Sequence, residues 1–500
     1  MKTYNDLAKI ADNQDAKKAF VLDAITEHKA TIPYQTAKDA EDYMKTLNPT
    51  IMNYKKLLYT LSGEAVPDNF SADHKCASSF FKRFVTQENQ YLLGNGATFT
   101  EDSTKEALGG DDFDVQLQKA GRNALVGGIS FGFMNLDHVE VFKLTEFVPL
   151  WDENDGSLKA GIRFWQIADN KPLRATLYEM DGYTEYIRPT DDDKNVITVM
   201  QDKRPYKLKI KSSEVDGTEI YDGENYPSFP IVPLWGNPEH QSELVTIRSQ
   251  IDAYDLIKSG FANDLDDASM IYWTITNAGG MDDIDLAQFV ERMKTVKAAV
   301  VDGGSGGANA EAHTLEVPYQ SRETYLTRLE ADMYKDAMAL DTTQIAAGQV
   351  TATQIEAAYE PLNEKCDMFE YCVNEFVKGL LAVLDIDDSP TFVRSKMANR
   401  TEEINSILMS ADYLTEDYVT TKLLTLFGDA DMIEDILEEK DSEDMDRMSE
   451  GDEELDEDLL ADEELEETEE LEEESEEETE EDTTDVDSLL DMLRKLMEEL

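Results

Sequence analysis

Residues 226–264 read YPSFPIVPLWGNPEHQSELVTIRSQIDAYDLIKSGFAND, and the change of pattern inside this stretch organises the rest of the chain. Pro227, Pro230 and Pro233 each fix φ and remove a backbone donor, so the first part is extended and cannot be a central strand. Beyond Asn237 the pattern turns helical. Leu244, Ile247, Ile251, Tyr254 and Ile257 recur on one face of a helix predicted over 239–265. Its opposite face carries Glu243, Asp252 and Asp255, with Arg248 and Lys258 between.

Upstream of the prolines, from about residue 122, the hydrophobic period is two. Short β-rich runs cover 128–133, 139–145, 160–168, 174–180, 183–188, 195–200 and 206–210. Asp155-Gly156, Asp181-Gly182, Asp216-Gly217 and Asp222-Gly223 read as turns between them, which predicts an antiparallel meander. Asp191, Asp192 and Asp193 fall at a predicted hairpin tip and read as a solvated turn, since a cation site needs more converging oxygens. Earlier still the chain is helical. The stretch 15–27 carries Phe20, Val21, Ala24 and Ile25 at helical spacing, and 36–47 is a second, polar helix beyond the break at Thr31-Ile-Pro33. Residues 79–94 (SFFKRFVTQENQYLLG) place Phe80, Phe81, Phe84, Val85, Tyr91 and Leu92 close to one stripe. Gly94-Asn-Gly96 then caps the helix; it has neither the preceding strand nor the third glycine of a dinucleotide loop.

Downstream of the decisive helix, 267–317 reads as a compact α/β insertion. Its predicted parts are strand 270–276, helix 283–293, strand 298–301, a Gly-rich linker 303–307 and strand 313–317. That linker lacks the Lys-Ser/Thr ending of a P-loop. A second long helix over 321–340 repeats Tyr325, Leu329, Met333 and Ala337 every four residues. A small, polar break at 341–352 leads to a helix over 353–384, expected to bend near Pro361, and short amphipathic helices such as 402–409 and 416–427 follow.

Composition removes whole classes of function. The 500 residues hold 45 basic and 108 acidic side chains, a net charge of −63. High-affinity nucleic-acid binding works by neutralising phosphates, and docking on anionic membranes needs the same cations. Residues 441–487 alone carry 29 acids and one base, Arg447, a density that cannot support a packed core. The last fifteen residues regain an apolar stripe, either a partner-seeking helix or one that docks on its own domain. Cys76, Cys366 and Cys372 make no disulfide framework and read as small buried hydrophobes. No apolar leader opens the sequence and no window approaches a membrane span, so the expectation is an intracellular, soluble protein with no membrane contact.

No catalytic motif emerges. The five histidines are scattered, and His74-Lys-Cys76 offers two potential ligands where zinc needs four. Carboxylates are too numerous for any pair to be informative. The reading is therefore not an enzyme, with no cofactor or metal. What the sequence does describe is an architecture: two long helices joined by an insertion, an antiparallel pair with a knob at its far end. Such a pair buries part of its surface alone, so it invites sideways packing against copies of itself, which closes into a ring when the rotation permits.

Three stretches resemble the portal proteins of tailed bacteriophages, of the type found in long-tailed phages of Gram-positive hosts. Residues 81–94 resemble the helix ending in a Tyr-x-x-Gly motif near the start of that family's wing. Residues 124–148, with Gly127-Gly-Ile-Ser-Phe-Gly132, resemble the helix-to-β passage that follows. The third stretch, 226–264, resembles the segment entering the first stem helix, with Ile251-Asp-Ala-Tyr-Asp255, Ser259 and Asn263 in its pattern. The resemblance implies an α+β portal fold: wing 1–238, stem helix 239–266, clip 267–317, stem helix 318–340, tunnel loop 341–352, long wing-to-crown helix 353–385, helical crown 386–440, disordered acidic tail 441–485 and terminal helix 486–500. It assigns Leu244, Ile247, Ile251, Tyr254, Tyr325, Leu329 and Met333 to the stem, and Tyr272, Trp273 and Phe289 to the clip. The DNA-facing tunnel loop would hold Asp341, Thr342, Thr343, Gln344, Ile345, Gly348, Gln349 and Val350.

By the same resemblance the protein is a homo-oligomer, a dodecameric ring of about twelve subunits (thirteen when isolated) at one capsid vertex. Its implied partners are the terminase large subunit, the head–tail connector or adaptor, the major capsid and scaffolding proteins, and double-stranded DNA passing through without sequence recognition. Its place would be the virion, after assembly in the host cytoplasm. An acidic chain suits a channel through which DNA must slide, and the loop 341–352 holds no base. The acidic tail has three readings: a solvated spacer, a recruiter of basic scaffold or capsid proteins, or a screen keeping packaged DNA off the crown. The rival is an acidic scaffold or chaperone-like protein capturing basic partners, which explains the tail but not the insertion or the proline-rich entry.

Overall fold

Caps set the amino-terminal helices. In the computed structural model α1 (Tyr4–Ala8) opens with a capping box: Thr3 Oγ1 accepts the Asp6 N–H and the Asp6 carboxylate accepts the Thr3 N–H. Asn13 caps α2 (Gln14–Lys29). Thr31 caps α3 (Ile32–Met44), whose first turn holds Pro33. The Thr31-Ile-Pro33 break is thus itself a helix start, and α3 begins four residues ahead of the expected 36, because proline is at home in a first turn. The structure describes residues 1–10, 13–59, 63–68, 72–190, 196–212, 219–268, 272–276, 309–313, 319–343, 352–395, 404, 407–427 and 436.

A single turn α4 (Pro49–Met52) and a small hairpin β1 (Leu57–Tyr59) with β2 (Ala65–Pro67) come next. Then follow α5 (Phe80–Leu93), β3 (Ala97–Thr98), α6 (Asp102–Leu108) and α7 (Asp111–Gly127). The β region consists of β4 (Ile129–Asn135), β5 (His138–Lys143), β6 (Phe147–Trp151), β7 (Leu158–Trp165) and β8 (Leu173–Glu179). It continues through β9 (Gly182–Arg188), β10 (Thr198–Arg204), β11 (Lys207–Ser212), β12 (Glu219–Glu224) and β13 (Ile231–Trp235). The expected meander is real for β7 to β10, which with β6, a strand outside the expected runs, form one antiparallel sheet in chain order, while the expected run at β11 leaves it to pair with β12. However, β4 and β5 belong to a separate sheet of order β13-β4-β5. Two strand prolines of this region sit where a missing donor is harmless: Pro149 in edge strand β6 and Pro233 in edge strand β13.

Asp222-Gly223 is a correction. It lies inside β12, where Gly223 pairs with Leu208. Glycine serves close approach there, since a Cβ would stand 2.2 Å from Pro205 Cγ.

Alternation stacks the layers. On β4, Ser130 Oγ donates to the Ala120 carbonyl of α7 (2.8 Å) and Gly132 lies under the Phe376 ring. The other face carries Phe131, 4.5 Å from Phe147 between ring centroids, and Phe133, 5.1 Å from Tyr178. The three-stranded sheet is therefore sandwiched between helices and the five-stranded sheet, whose far face packs on Phe20, Val21, Ala24 and Ile25 of α2 through Val148, Leu150, Ile162 and Leu177.

The chain continues through α8 (Leu244–Ala268), the hairpin β14 (Tyr272–Thr276) with β15 (Asn309–His313), α9 (Tyr319–Asp336), α10 (Ala352–Leu384) and β16 (Thr391–Phe392), which pairs with β3. Helix α10 runs unbroken in assignment through Pro361. The chain divides into two units, Met1–Met397 and Ala398–Leu500; the second shows helix α11 (Glu416–Phe427). The Asp191–Asp193 triplet, Asp216-Gly217, the predicted elements at 283–293, 298–301 and 303–307, most of the predicted strand 313–317, and the acidic tail lie outside the described residues.

Candidate functional site: the stem helices and their anchorage

Two ion and amide pairs fix the direction of the long helices. Gln250 meets Asp336, while Arg322 meets Asp264, so α8 and α9 run antiparallel. Helix α8 starts at Leu244, five residues later than expected. Asn237 bonds the Gln241 N–H and carbonyl, and His240 holds φ at +57°, which together interrupt a helical path. Ser242 then caps α8, its Oγ accepting the Leu244 N–H (3.2 Å) while donating to the Val126 carbonyl (2.6 Å). Helix α9 stops at Asp336 in a Schellman turn: Met338 is left-handed at φ +51°, and the Ala339 N–H returns to the Tyr334 carbonyl.

The predicted stem residues separate by depth. Leu244, Ile247, Ile251 and Met333 are buried in the main core with residues of α5, α7 and β4, and Tyr254 packs edge-on to Phe80 at 5.1 Å. Leu329 is half-buried and Tyr325 is 50% exposed. Tyr272 and Trp273 lie on β14, in register with His313 and Ala312, while Phe289 is outside the described residues. Of the predicted tunnel loop, Asp341, Thr342 and Thr343 are described; Gln344, Ile345, Gly348, Gln349 and Val350 are not. The loop's base is pinned to α5. The Gln87 amide takes the Leu340 N–H and donates to the Leu340 carbonyl, both at 3.0 Å, and Asp341 Oδ1 accepts from the Thr343 N–H (3.0 Å) and hydroxyl (2.6 Å).

The polar stripe of α8 holds a strap. His74, Cys76 and Ser78 donate their backbone N–H groups to Asn263 Oδ1 (2.7 Å), Ser259 Oγ (2.9 Å) and Asp255 Oδ1 (2.9 Å). The match is metric: two residues of extended chain span about 6.6 Å, and four residues of helix about 6 Å. Asp255 is fully buried, and its second oxygen accepts from Asn48 Nδ2 (2.8 Å). Burial pushes its carboxyl up, against the pull of those donors. Asp252 accepts from Tyr43 and Thr50, and Arg248 pairs with Asp39 at 2.8 Å. His74 also reaches Asp266 (2.7 Å), so the His74-Lys-Cys76 stretch is part of the strap. Among the described residues no cluster of three or more His, Cys, Asp or Glu is arranged to hold a metal ion, and no helix is long and apolar enough to cross a membrane.

A single ammonium joins the elements at the head of the stem. Lys365 of α10 lies 2.8 Å from Glu88 of α5 and 2.7 Å from Glu243, just ahead of α8, and donates to the Ala337 carbonyl behind α9 (3.2 Å). Glu243 is fixed in turn by Asn237 Nδ2 (2.7 Å) and by its own N–H to the Leu125 carbonyl (3.0 Å). Burial pushes Glu88 up to about 7, although Lys365 pulls it down, while the two carboxyls push Lys365 far up. Both directions describe one cation serving two acids, of which Glu88 is the more deeply buried.

A family model described as "Phage portal protein, SPP1 Gp6-like" matches residues 25–446 of this chain. The chain belongs to that portal family. Two curated portal proteins are similar to it. That of Bacillus phage SPP1 is 23% identical over 383 residues, covering 71% of this chain and 73% of its own length. That of Clostridium phage phiCD119 is 28% identical over 363 residues, covering 67% and 77%. Among solved structures, a chain of the neck of an empty gene transfer agent particle aligns at TM-score 0.41 and 12% identity over 70% of this chain and 90% of its own, and one from the native particle's virion at 0.40 and 12% over 69% and 89%. The α8 pattern has a physical meaning: Asp255, Ser259 and Asn263 continue the row of Ile251 at four-residue spacing and hold residues 74–78, while Asp252 holds Tyr43 and Thr50. Reading the sequence for chemistry missed Glu88 and Lys365. Their one visible signal is that Glu88 interrupts the apolar stripe of α5 on its buried side.

Proposed function

We propose that this portal-family chain assembles side by side into a dodecameric ring at one capsid vertex of a tailed phage, the channel for DNA entry and exit and the platform for terminase and connector. The observation that carries this reading is the stem. Its inner side chains are used up by the wing, yet Val245 (48% exposed), Leu256 (43%) and Leu265 (53%) on α8, and Tyr319 (56%) and Tyr325 (50%) on α9, remain open to water in a single chain. Apolar rows on an elongated antiparallel pair suit neighbours on both sides, and repeated heterologous contact closes a ring. Family membership favours this over an acidic scaffold that captures basic partners. Mass photometry with negative-stain imaging should show rings of about twelve subunits with a central hole, and Leu256→Asp with Leu265→Asp should reduce them to monomers of unchanged helicity. Rings that form equally well with both positions charged would overturn the reading.

The base-free loop after α9 is the part that would touch DNA, sterically and through Gln344 and Gln349 rather than by phosphate contacts. Its described base is clamped to α5 by Gln87. Deleting Gly348, Gln349 and Val350 should impair DNA packaging in infected cells while rings still form. Normal packaging would remove the loop from the mechanism.

A further inference from the structure

A cleft of about 390 Å³ opens between α3, α7 and β5, lined by Lys45, Lys119, Arg122 and Lys143 and by one acid, Glu41; Lys143 pairs with Glu41 (3.8 Å) and Lys45 with Asp42 (3.7 Å), which leaves Lys119 and Arg122 as its open cations. Its floor is apolar, with Met44, Val126 and Leu144. Among the described residues Lys119 and Arg122, exposed one turn apart on α7, stand in no ion pair or hydrogen bond, and the Asn123 side-chain amide beside them is buried without an acceptor. In a chain of net charge −63 such a concentration calls for an anionic occupant with an apolar centre.

The same chain presents that surface elsewhere. The outer face of α10 carries Glu356, Glu360 and Glu364, all exposed, followed by Met368 (46% exposed), Tyr371 (66%) and the exposed Glu375. The two surfaces lie on opposite flanks of one layer. Helix α7 covers β4 and β5, α10 covers β13, and the sheet order is β13-β4-β5. A heterologous contact needs this placement, a patch on one flank meeting its complement on the other.

The geometry points to a second copy of this chain as the occupant: the acidic face of α10 in one protomer seats in the basic cleft of its neighbour, with Met368 and Tyr371 over the apolar floor. This offsets the repulsion between strongly acidic subunits and sets the direction of the ring. The inference rests on the ring reading above.

The test is a charge swap. Lys119→Glu with Arg122→Glu is one variant, Glu360→Lys with Glu364→Lys the other, and the third carries all four; every position is exposed, so each chain should fold. Like charge across a contact costs several kcal/mol, so each double variant should lower the ring fraction at least about tenfold at low salt, and the quadruple variant should restore it. Raising salt, which shortens screening to a Debye length of about 3 Å at 1 M, should shrink the difference. Wild-type rings with unimpaired double variants, or impaired double variants that the swap does not rescue, overturn this contact and leave the ring reading standing. A wild-type protein that never forms rings overturns both.

Discussion

Replacing Lys365 with Met should destabilise the fold by about 3–5 kcal/mol at pH 8, seen as a lower thermal midpoint and earlier urea unfolding. The cost comes from what is left behind. Glu88 and Glu243 would face each other without the ammonium that lies 2.8 and 2.7 Å away, and Glu88 has almost no access to water. The defect should shrink in acid, since protonating Glu88 relieves the repulsion. Wild type carries a weaker trace of the same linkage. Glu88 is pushed up to about 7, above its value in the unfolded chain, so the folded state keeps a proton that the unfolded state releases. Its contribution is therefore full in acid and is lost as pH rises towards 7. Glu88→Gln should flatten that slope and rescue part of the Lys365→Met loss. A Lys365→Met protein as stable as wild type at pH 8 would show that the hub does not hold the stem.

Much of the architecture was legible because its signals are local. The β-to-helix switch around Asn237 and the stripe of α5 are each written within about a dozen residues. Errors arose where a local signal has two physical uses. Glycine after aspartate marks a turn at Gly156 (φ +70°) and Gly182 (φ +133°), yet at Gly223 it admits Pro205 into a strand pair. Strands β4 and β5 read as part of one meander because period two reveals a strand's faces and not its neighbours. The second partner of β4, β13, lies nearly a hundred residues away, beyond the whole five-stranded sheet.

The anchorage was less visible for a related reason. Asp255, Ser259 and Asn263 stand in the sequence as a pattern, but what they bind is backbone N–H of residues 74–78, and no side chain there advertises it. Lys365, Glu88 and Glu243 come from three distant segments of a chain so rich in carboxylates that pairing by eye is arbitrary. The recoverable clue was position: a glutamate within a buried stripe must be paired or neutral, and Glu88 is partly both.

The junction of α7 with the entry to α8 offers the second large effect, at Gly128. This residue closes α7 at φ +84°, its carbonyl accepts the Gly236 N–H (3.1 Å), and a Cβ would stand 2.9 Å from the Gln241 backbone carbon. Gly128→Val should therefore suffer twice. A β-branched residue in the left-handed region costs about 1–3 kcal/mol, and the obstacle it meets is main chain, which cannot rotate aside. Together about 3 kcal/mol or more is expected, and the relief available is to push residues 241 and 242 outward, which moves the start of α8. Gly156→Val separates the two contributions, since φ there is +70° but nothing lies within 4 Å of the added Cβ. It should lose the conformational part alone and still form rings, whereas Gly128→Val protein, where it folds at all, should fail to assemble because the direction of its stem has changed. Equal losses at the two glycines, with assembly intact, would mean that the close approach to Gln241 does not aim the stem.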